Sequence, residues 1–567
     1  MRTAMHLTTE QLLFQLIRRC QPTPVGRRRD VRWPRAEKVG RLSLAVAESL
    51  VPPDERRIAA ARERTFSFLA TRLRLDAHLN WGVRHGVALA SFELQYMGHL
   101  RTLASAWSRE RRAEDVALIA EQLRTWMATT ASGQGDAWHP YCIAVRTIHW
   151  CELLILVGDL LPADVRDAAV DSLARQLDVL ARRRERHLGA NHLQRDDAAL
   201  AIGGMLLEGD AARRWMATGL RGTWHALATH VLPDGMHFEG SPMYHAAMLD
   251  DVCRVITCCD ALGVPVPSAA RETLGRMARA AVQLSRPNGA LHQFNDAEGS
   301  AHPPVLWLAA RADTLSRRGE TTAALQGPWL LPAAGYAGWR DDALGERLVF
   351  DAGPVGPRAQ PGHAHCDALS FELDVAHQSF IVDAGVHGYD GDPFRPFSRS
   401  TAAHNTLMLN GEEQSEMWQT FRVARRARVE GPIVTRDPTT WAVSGRVRGF
   451  AGGDHRRRIV RLGGTGYRIE DWAQAATARA FLHFAPGHRV RVQGSVAVVS
   501  RADGWSAEIT FAGVRDLVVV TGALEPVQGW HFPQFGEACP APCLVASAVA
   551  DASAQISLVT TIRWSGA

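Results

Sequence analysis

Three short segments of the 567-residue chain concentrate histidine, tyrosine and carboxylate side chains. They read GANHLQRD at 189–196, DGMHFEGSPMYH at 234–245 and PGHAHCD at 361–367. Each contains glycine or proline and borders an apolar run, so each is expected where a loop enters a helix or a strand. Imidazole and phenol groups at such places can move protons at a reacting centre.

The first two segments each allow a structural and a functional interpretation. Asn191 precedes an apolar helical pattern, so it either caps that helix or acts together with His192. Tyr244 follows a Ser-Pro helix start and is one of only six tyrosines in the chain. Its hydroxyl either completes a buried hydrogen-bond network or takes part in the chemistry.

The third segment suggests a metal. His363 and His365 are two residues apart, so in an extended strand both point to one face. Asp383 and His404 belong to later strands of the same predicted sheet. Two imidazoles and a carboxylate are ligands that zinc accepts, although unrelated polar residues on strand faces would give the same spacing.

Two arginines, Arg395 and Arg399, fall in the predicted loop between the strands of Asp383 and His404. There they either point into solvent as ordinary loop residues or bind carboxylates and sulfates of an acidic ligand.

The apolar period changes near residue 345. From about 40 to 325 apolar residues recur every three or four positions, as in 113–131, 165–183 and 248–262, which predicts amphipathic helices. Beyond 345 they alternate or form short runs, as in 369–375 and 494–500, which is typical of antiparallel sheets. The sequence therefore predicts an all-α region over 1–325, a linker over 326–344 and a β region over 345–567.

Composition narrows the class of protein. Hydrophobic residues are 46% and charged residues 22%, which excludes a disordered or fibrous chain. The net charge is +5, and Lys38 is the only lysine, so an arginine-rich surface suits an acidic substrate. No basic tail, zinc-finger spacing or RNA-binding motif indicates a nucleic-acid partner.

Cysteine use and apolar runs indicate a place inside the cell. The nine cysteines are scattered, as expected of reduced buried thiols. The apolar run 143–161 contains charged residues, so we expect a buried helix and no membrane span. Residues 1–21 predict a short amphipathic helix and show no secretion signal, so we expect a cytoplasmic protein, with export by another route left open.

Taken in order, the motifs resemble the heparinase II/III-like polysaccharide lyases, which include heparinases, alginate lyases and broad glycosaminoglycan lyases. Further matching fragments are FELQYMGHL at 92–100, WHPYCIAVR at 138–146, HNT at 404–406 and QSEMW at 414–418. The resemblance implies an α+β multidomain fold, with an incomplete (α/α) toroid followed by an antiparallel β-sandwich. That order agrees with the change of period.

The resemblance also implies roles for residues at the matching positions. Tyr244 and His363 match catalytic residues, and Asn191 and His192 match a pair that neutralises the substrate carboxylate or serves as base. Further residues match a metal site, usually zinc, in a structural or supporting role, without an organic cofactor: His365, Asp383 and His404. Those expected to bind substrate are Tyr96, Glu239, Arg395 and Arg399. Gly240 departs from the family, since many members carry arginine there.

The implied reaction is β-elimination on a uronic-acid polymer such as heparan sulfate, chondroitin, hyaluronan or alginate. It needs the carboxylate charge quenched, a base for the C5 proton and an acid for the leaving O4. Tyr244 would serve as base or acid if neighbouring cationic groups lowered its pKa from about 10 toward neutrality.

Two other classes remain open. A toroid glycoside hydrolase would use two carboxylates, for which Asp196, Asp234 and Glu239 are the candidates. A non-catalytic protein that binds acidic carbohydrate is the other. The sequence leaves the oligomeric state open, and a homodimer is compatible with it.

Overall fold

The computed structural model describes residues 11–15, 26–27, 29–51, 54–130, 133–299, 303–317, 325–389, 391–436, 441–451 and 453–564. Of the helix predicted over 1–21, only residues 11–15 are described, and they are helical. The remainder of that prediction lies outside the described residues.

The first half of the chain is helical, as its period predicts. Its described helices are Ala36–Glu48 (α1), Glu55–Arg62 (α2), Ala88–Tyr96 (α3), Gly98–Glu110 (α4), Ala113–Thr129 (α5), Pro140–Val157 (α6), Ala163–Arg183 (α7), Ala190–Leu206 (α8), Asp210–Thr229 (α9), Pro242–Leu262 (α10), Ser268–Gln283 (α11) and Val305–Ser316 (α12). One hairpin, Thr65–Phe68 (β1) with Thr71–Arg74 (β2), interrupts the series.

Helix α6 carries the most apolar stretch of the toroid. The range Pro140–Leu160 is long and apolar enough to cross a membrane, yet 89% of its most apolar window is buried inside the protein. Arg146, within this helix, is fully buried and donates hydrogen bonds to Gln176 and to the carbonyls of Gln95 and Ala137. The run is therefore a core helix of the toroid, as predicted.

The second half forms antiparallel sheets. The first has five strands in chain order: Gly327–Leu331 (β3), Tyr336–Asp341 (β4), Glu346–Asp351 (β5), Phe371–Val375 (β6) and Gln378–Ile381 (β7). The second has eight, in spatial order Arg428–Arg436 (β11), Trp441–Arg448 (β12), Asp454–Arg461 (β13), Gly466–Gln474 (β14), Gln555–Trp564 (β25), Ser506–Ala512 (β18), Val496–Ser500 (β17) and Arg489–Gln493 (β16).

A third sheet of four strands and several short pairs complete this half. The third sheet runs Asp516–Val520 (β19), Cys543–Val549 (β24), Thr477–His483 (β15) and Leu407–Leu409 (β8). The short pairs are Met417–Trp418 (β9) with Arg422–Val423 (β10), Ala523–Leu524 (β20) with Val527–Gln528 (β21), and Trp530–His531 (β22) with Cys539–Pro540 (β23). Apolar side chains from all three large sheets, such as Leu373, Ile469 and Leu544, share one core. The α+β architecture, a toroid followed by an antiparallel β-sandwich, is confirmed.

The predicted linker over 326–344 is wrong. Strands β3 and β4 occupy most of it and pair with each other, from Gly327 opposite Arg340 to Leu331 opposite Tyr336. Trp329, Leu331 and Tyr336 are buried against the end of the helical half. Glycine and proline at 327, 328 and 335 suggested a connector, whereas they flank a hairpin whose alternate side chains are apolar.

A segment between α11 and α12, residues 293–296, holds the two halves together by hydrogen bonds. Its main-chain amides donate to carboxylates of the β half, from Gln293 to Glu372 Oε1 at 2.5 Å and from Asn295 to Asp367 Oδ2 at 3.0 Å. The next residue, Asp296, donates its amide to the carbonyl of His363 at 3.0 Å. This segment therefore fixes the β half against the helices at the site described next.

Candidate active site

Tyr244 lies in the first turn of α10, at the junction of the two halves. Ser241 caps this helix: its Oγ accepts a hydrogen bond from the Tyr244 amide at 3.3 Å and donates one to the Asp296 carbonyl at 2.6 Å. The Tyr244 ring packs 4.0 Å from the His363 ring, centre to centre. Its hydroxyl shares a hydrogen bond with the hydroxyl of Tyr389 at 3.1 Å.

The expected lowering of the Tyr244 pKa is wrong. Burial raises the pKa of Tyr244 well above its ordinary value, and Tyr389 and Asp296 add to the rise. Arg395, a cationic group close to Tyr244, is already paired with Asp296. Tyr244 is therefore protonated at neutral pH, the state of a proton donor.

Asp296 organises the two histidines of the third motif. Its carboxylate binds Nδ1 of His363 and Nε2 of His365, each at 2.8 Å, and pairs with the guanidinium of Arg395. Burial opposes its charge, but Arg395 and the two histidines hold the pKa of Asp296 well below its usual range. Because Nδ1 of His363 is taken by Asp296, Nε2 is the ring nitrogen that can meet a substrate, and it lies 3.9 Å from Glu239 Oε1.

Asn191 and His192 lie in the first turn of α8. The capping interpretation of Asn191 is wrong, because the helix begins at Ala190 after Gly189, without a side-chain cap. Asn191 is 6% exposed, and its Oδ1 has no hydrogen-bond partner among the described residues. His192 gives Nδ1 to Glu185 Oε2 at 2.9 Å and remains 28% exposed.

Glu239 and two tyrosines lie beside this pair. Glu239 is 1% exposed, and burial raises the pKa of Glu239 while His363 and His192 act to lower it. The Tyr141 ring lies 4.5 Å from the His192 ring and 6.0 Å from that of Tyr96. The structure thus gathers the predicted Tyr96 and Glu239 at the site, with Glu239 directed at histidines.

The guanidinium groups of Arg395 and Arg399 both make hydrogen bonds within the protein. Arg395, 4% exposed, pairs with Asp296 and donates to the Thr420 carbonyl at 2.9 Å. Arg399, 2% exposed, donates to the carbonyls of Ala364, Gln419, Thr420 and Arg422. The interpretation of both as solvated loop residues is therefore wrong. Substrate binding through Arg395 and Arg399 stays a prediction, and the internal hydrogen bonds of both guanidinium groups do not favour it.

The predicted metal residues lie together and are fully buried. Asp383 Oδ2 binds His404 Nδ1 at 2.6 Å, and the His365 and His404 rings are 5.4 Å apart. Nδ1 of His365 and Nε2 of His404 have no hydrogen-bond partner within the described part of the chain. Two imidazoles with unpartnered nitrogens and a carboxylate suit zinc chemically. Over the described ranges, however, no group of three or more histidine, cysteine, aspartate or glutamate side chains is arranged to hold a metal ion.

Three residues of the site went unnoticed in the sequence: Asp296, Tyr389 and Glu185. Tyr389 carried one signal, since it is one of six tyrosines and follows Asp383 closely. Asp296 and Glu185 carried none, because each acts on a histidine through the tertiary fold.

Two family models cover most of the chain. Residues 35–307 match the model described as Heparinase II/III N-terminus, and residues 323–565 match Heparinase II/III-like, C-terminal. The chain belongs to the heparinase II/III-like family. The two matches meet where the helical half ends and the sheets begin.

Known relatives of this family are lyases by name. A heparin-sulfate lyase of Pedobacter heparinus is 27% identical over 222 residues, 35% of this chain and 32% of that protein. The match thus spans about a third of the curated relative.

Solved structures support the fold of this heparinase II/III-like chain. A structure of heparinase III superposes with a TM-score of 0.73 at 17% identity, covering 98% of this chain and 89% of the other. A chondroitin AC lyase variant of Streptomyces coelicolor A3 gives 0.50 at 13% identity, covering 93% and 83%.

Proposed function

We propose that this protein is a polysaccharide lyase, a carbon–oxygen lyase that cleaves a uronic-acid-containing polysaccharide by β-elimination. Among such polymers we favour glycosaminoglycans, because the relatives named above are a heparin-sulfate lyase, a heparinase and a chondroitin AC lyase. The observation that carries the proposal is the buried, protonated Tyr244 packed on His363.

Tyr244 is assigned the proton donor to the leaving O4. A phenol held in the neutral state by burial carries the proton to be given up. Once that proton has left, the Tyr389 hydroxyl, 3.1 Å away, can turn to donate a hydrogen bond to the phenolate. Charge then develops in a buried place where fixed donors are most effective. A proton taken from solvent then returns Tyr244 to the neutral phenol.

The base that removes the C5 proton is assigned to a histidine. His363 and His192 each hold Nδ1 against a carboxylate, Asp296 and Glu185, so each presents Nε2 as an acceptor. A carboxylate on Nδ1 fixes the tautomer of the ring and leaves the other nitrogen as the acceptor. Replacing each histidine by alanine distinguishes the two. In deuterated water, the base is the histidine whose loss stops exchange of the substrate C5 proton for deuterium.

The substrate carboxylate is assigned to Asn191. Removing the C5 proton spreads negative charge onto this carboxylate, and one preorganised donor aimed there contributes about 3–4 kcal/mol. The amide of Asn191 is nearly buried, and its oxygen has no partner among the described residues. A side chain so placed can rotate its amide N–H toward a bound carboxylate.

A hydrolase is not favoured by the carboxylates. Asp196 Oδ2 accepts the Glu185 amide at 2.7 Å, and Asp234 Oδ2 accepts the amides of Ala333 and Ala334. These two acids are therefore used to fix the main chain. Of the three candidate acids only Glu239 lies against the histidines of the site, and hydrolysis needs a second carboxyl at a set separation.

A zinc ion at His365, Asp383 and His404 remains a proposal. These three side chains would hold the ion, which would supply either a structural cross-link or a Lewis acid that polarises a ligand. We expect about one zinc per chain, as is usual for a single such ligand set. Elemental analysis of the purified protein checks this, and protein without stoichiometric metal would contradict it.

The deciding experiment incubates the protein with a panel of polyuronates. We expect ultraviolet-absorbing unsaturated uronate ends from at least one glycosaminoglycan. Reducing ends without that absorption would indicate a hydrolase, and binding without cleavage of any polymer would indicate a carbohydrate-binding protein.

A further inference from the structure

A short hairpin borders the catalytic groups. Strands β9 and β10 pair Trp418 with Arg422 and Met417 with Val423. Residues 419–421 form the tip, where Gln419 has a positive φ of 50°. This hairpin, residues 417–423, belongs to the β half but has no part in the proton transfers assigned above.

The two faces of the hairpin differ. Val423 is fully buried, and the sulfur of Met417 lies 3.3 Å from the Arg399 guanidinium, so these two side chains face inward. Alternate residues of a strand point to opposite faces, so Trp418 and Arg422 stand side by side on the outer face. Trp418 is 43% exposed, and Arg422 is exposed as well.

The hairpin tip is next to the catalytic residues. The Phe421 ring lies 5.9 Å from the His363 ring and 4.9 Å from the Tyr389 ring. Phe421 is itself 39% exposed. Trp418 is only three residues from Phe421 across the tip, so their Cα atoms are at most about 11 Å apart.

Two buried arginines hold the tip in place. Arg399 donates to the carbonyls of Gln419, Thr420 and Arg422, and Arg395 donates to that of Thr420. Arg395 also pairs with Asp296, which holds His363. The tip is thus fixed relative to the catalytic histidine before any ligand arrives, which reduces the entropy lost on binding.

We propose that this hairpin is a saccharide-binding platform beside the cleavage point. Trp418 packs on the apolar face of a sugar ring, and Arg422 binds a carboxylate or sulfate of the same or the neighbouring unit. The proposal rests on the proposed function for the class of ligand, an acidic polysaccharide. It assigns substrate contact to exposed Trp418 and Arg422, and it assigns to Arg395 and Arg399 the support of their backbone.

Binding is measured apart from cleavage. Isothermal titration of a glycosaminoglycan oligosaccharide into the Tyr244→Phe protein reports affinity alone, because this change removes only a hydroxyl. Adding Trp418→Ala should raise Kd about tenfold, the scale of a central aromatic contact. Adding Arg422→Ala should lower the salt dependence of Kd, since one ionic contact is lost.

Matched controls lie elsewhere in the β half. Trp472 on β14 is 42% exposed, and Arg489 on the edge strand β16 is exposed. Trp472→Ala and Arg489→Ala should leave Kd and its salt dependence unchanged. Circular dichroism and thermal unfolding of each variant check that it is folded.

The outcomes separate this proposal from the proposed function. An unchanged Kd in folded Trp418→Ala overturns the platform, even if the wild-type protein forms unsaturated product. Loss of affinity through Trp418, in a protein that forms no unsaturated product, supports the platform and contradicts the lyase. A changed oligomeric state in light scattering, with an unchanged Kd, identifies the hairpin as a protein interface and also overturns the platform.

Discussion

The helical and β sides of the site are built differently. Asn191, His192 and Tyr244 all lie in first turns of helices. The Asn191 oxygen has no partner in the described part of the chain, and the His192 ring is 28% exposed. On the β side, His363 and Arg395 are tied to Asp296. The helical side therefore keeps side chains that are less constrained by the protein, while on the β side Asp296 fixes the tautomer of His363 and neutralises Arg395. The predictions below test this division.

Loss of the Tyr244 hydroxyl should have the largest effect on catalysis. Tyr244→Phe keeps the ring packed on His363 and removes the transferable proton. Proton transfer by a placed side chain is worth roughly 10²–10⁴-fold, so kcat should fall at least that far while affinity persists. Steady-state kinetics on the best polymer measures this, and retention of more than about a tenth of kcat would remove Tyr244 from the acid role.

Loss of the Asp296 charge should have the largest effect on stability. Asp296→Asn leaves buried Arg395 without its partner, which costs about 3–5 kcal/mol of unfolding free energy. Urea unfolding measures this, with Asp516→Asn, at an exposed position on β19, as the control. A loss below about 1 kcal/mol would show that the β side does not depend on this charge.

The stability difference between wild type and Asp296→Asn should also depend on pH. The pKa of folded Asp296 lies well below its usual range, so the stability it contributes is fully present above the unfolded pKa of about 3.9. It is lost as pH falls through the lower folded pKa. The difference in unfolding free energy between wild type and Asp296→Asn should therefore be constant from pH 7 to about 5 and shrink below pH 4. A difference that grows on acidification contradicts the assignment.

Loss of Arg399 should have a smaller effect, and on stability first. Arg399→Ala leaves several buried carbonyls without a donor, which costs about 1–3 kcal/mol. Thermal or urea unfolding measures this. The salt dependence of KM should stay as in wild type, unlike that of Arg422→Ala. A folded Arg399→Ala of unchanged stability but weaker salt dependence would restore the substrate-clamp interpretation.

The sequence predicted secondary structure better than it predicted tertiary contacts between side chains. The helical period and the sheet period predicted the two halves, and the family motifs singled out Tyr244 and His363, whose rings lie 4.0 Å apart in the fold. The linker was misread because glycine and proline outweighed the alternation of Trp329, Leu331 and Tyr336. Asp296 was missed because it is 67 residues from His363 and meets it only in the folded protein. The sequence also did not show where the Arg399 side chain points. It donates to carbonyls of the 417–423 hairpin, and no sequence pattern predicted that hairpin.

The central claim is cleavage by elimination, and labelled water tests it most directly. Elimination breaks the glycosidic bond without consuming water, whereas hydrolysis adds one water oxygen to the new end. The polymer is cleaved in heavy-oxygen water, and the fresh products are examined by mass spectrometry. We predict products that carry a double bond and no label from cleavage, while products that gain water and carry the heavy oxygen would contradict the lyase.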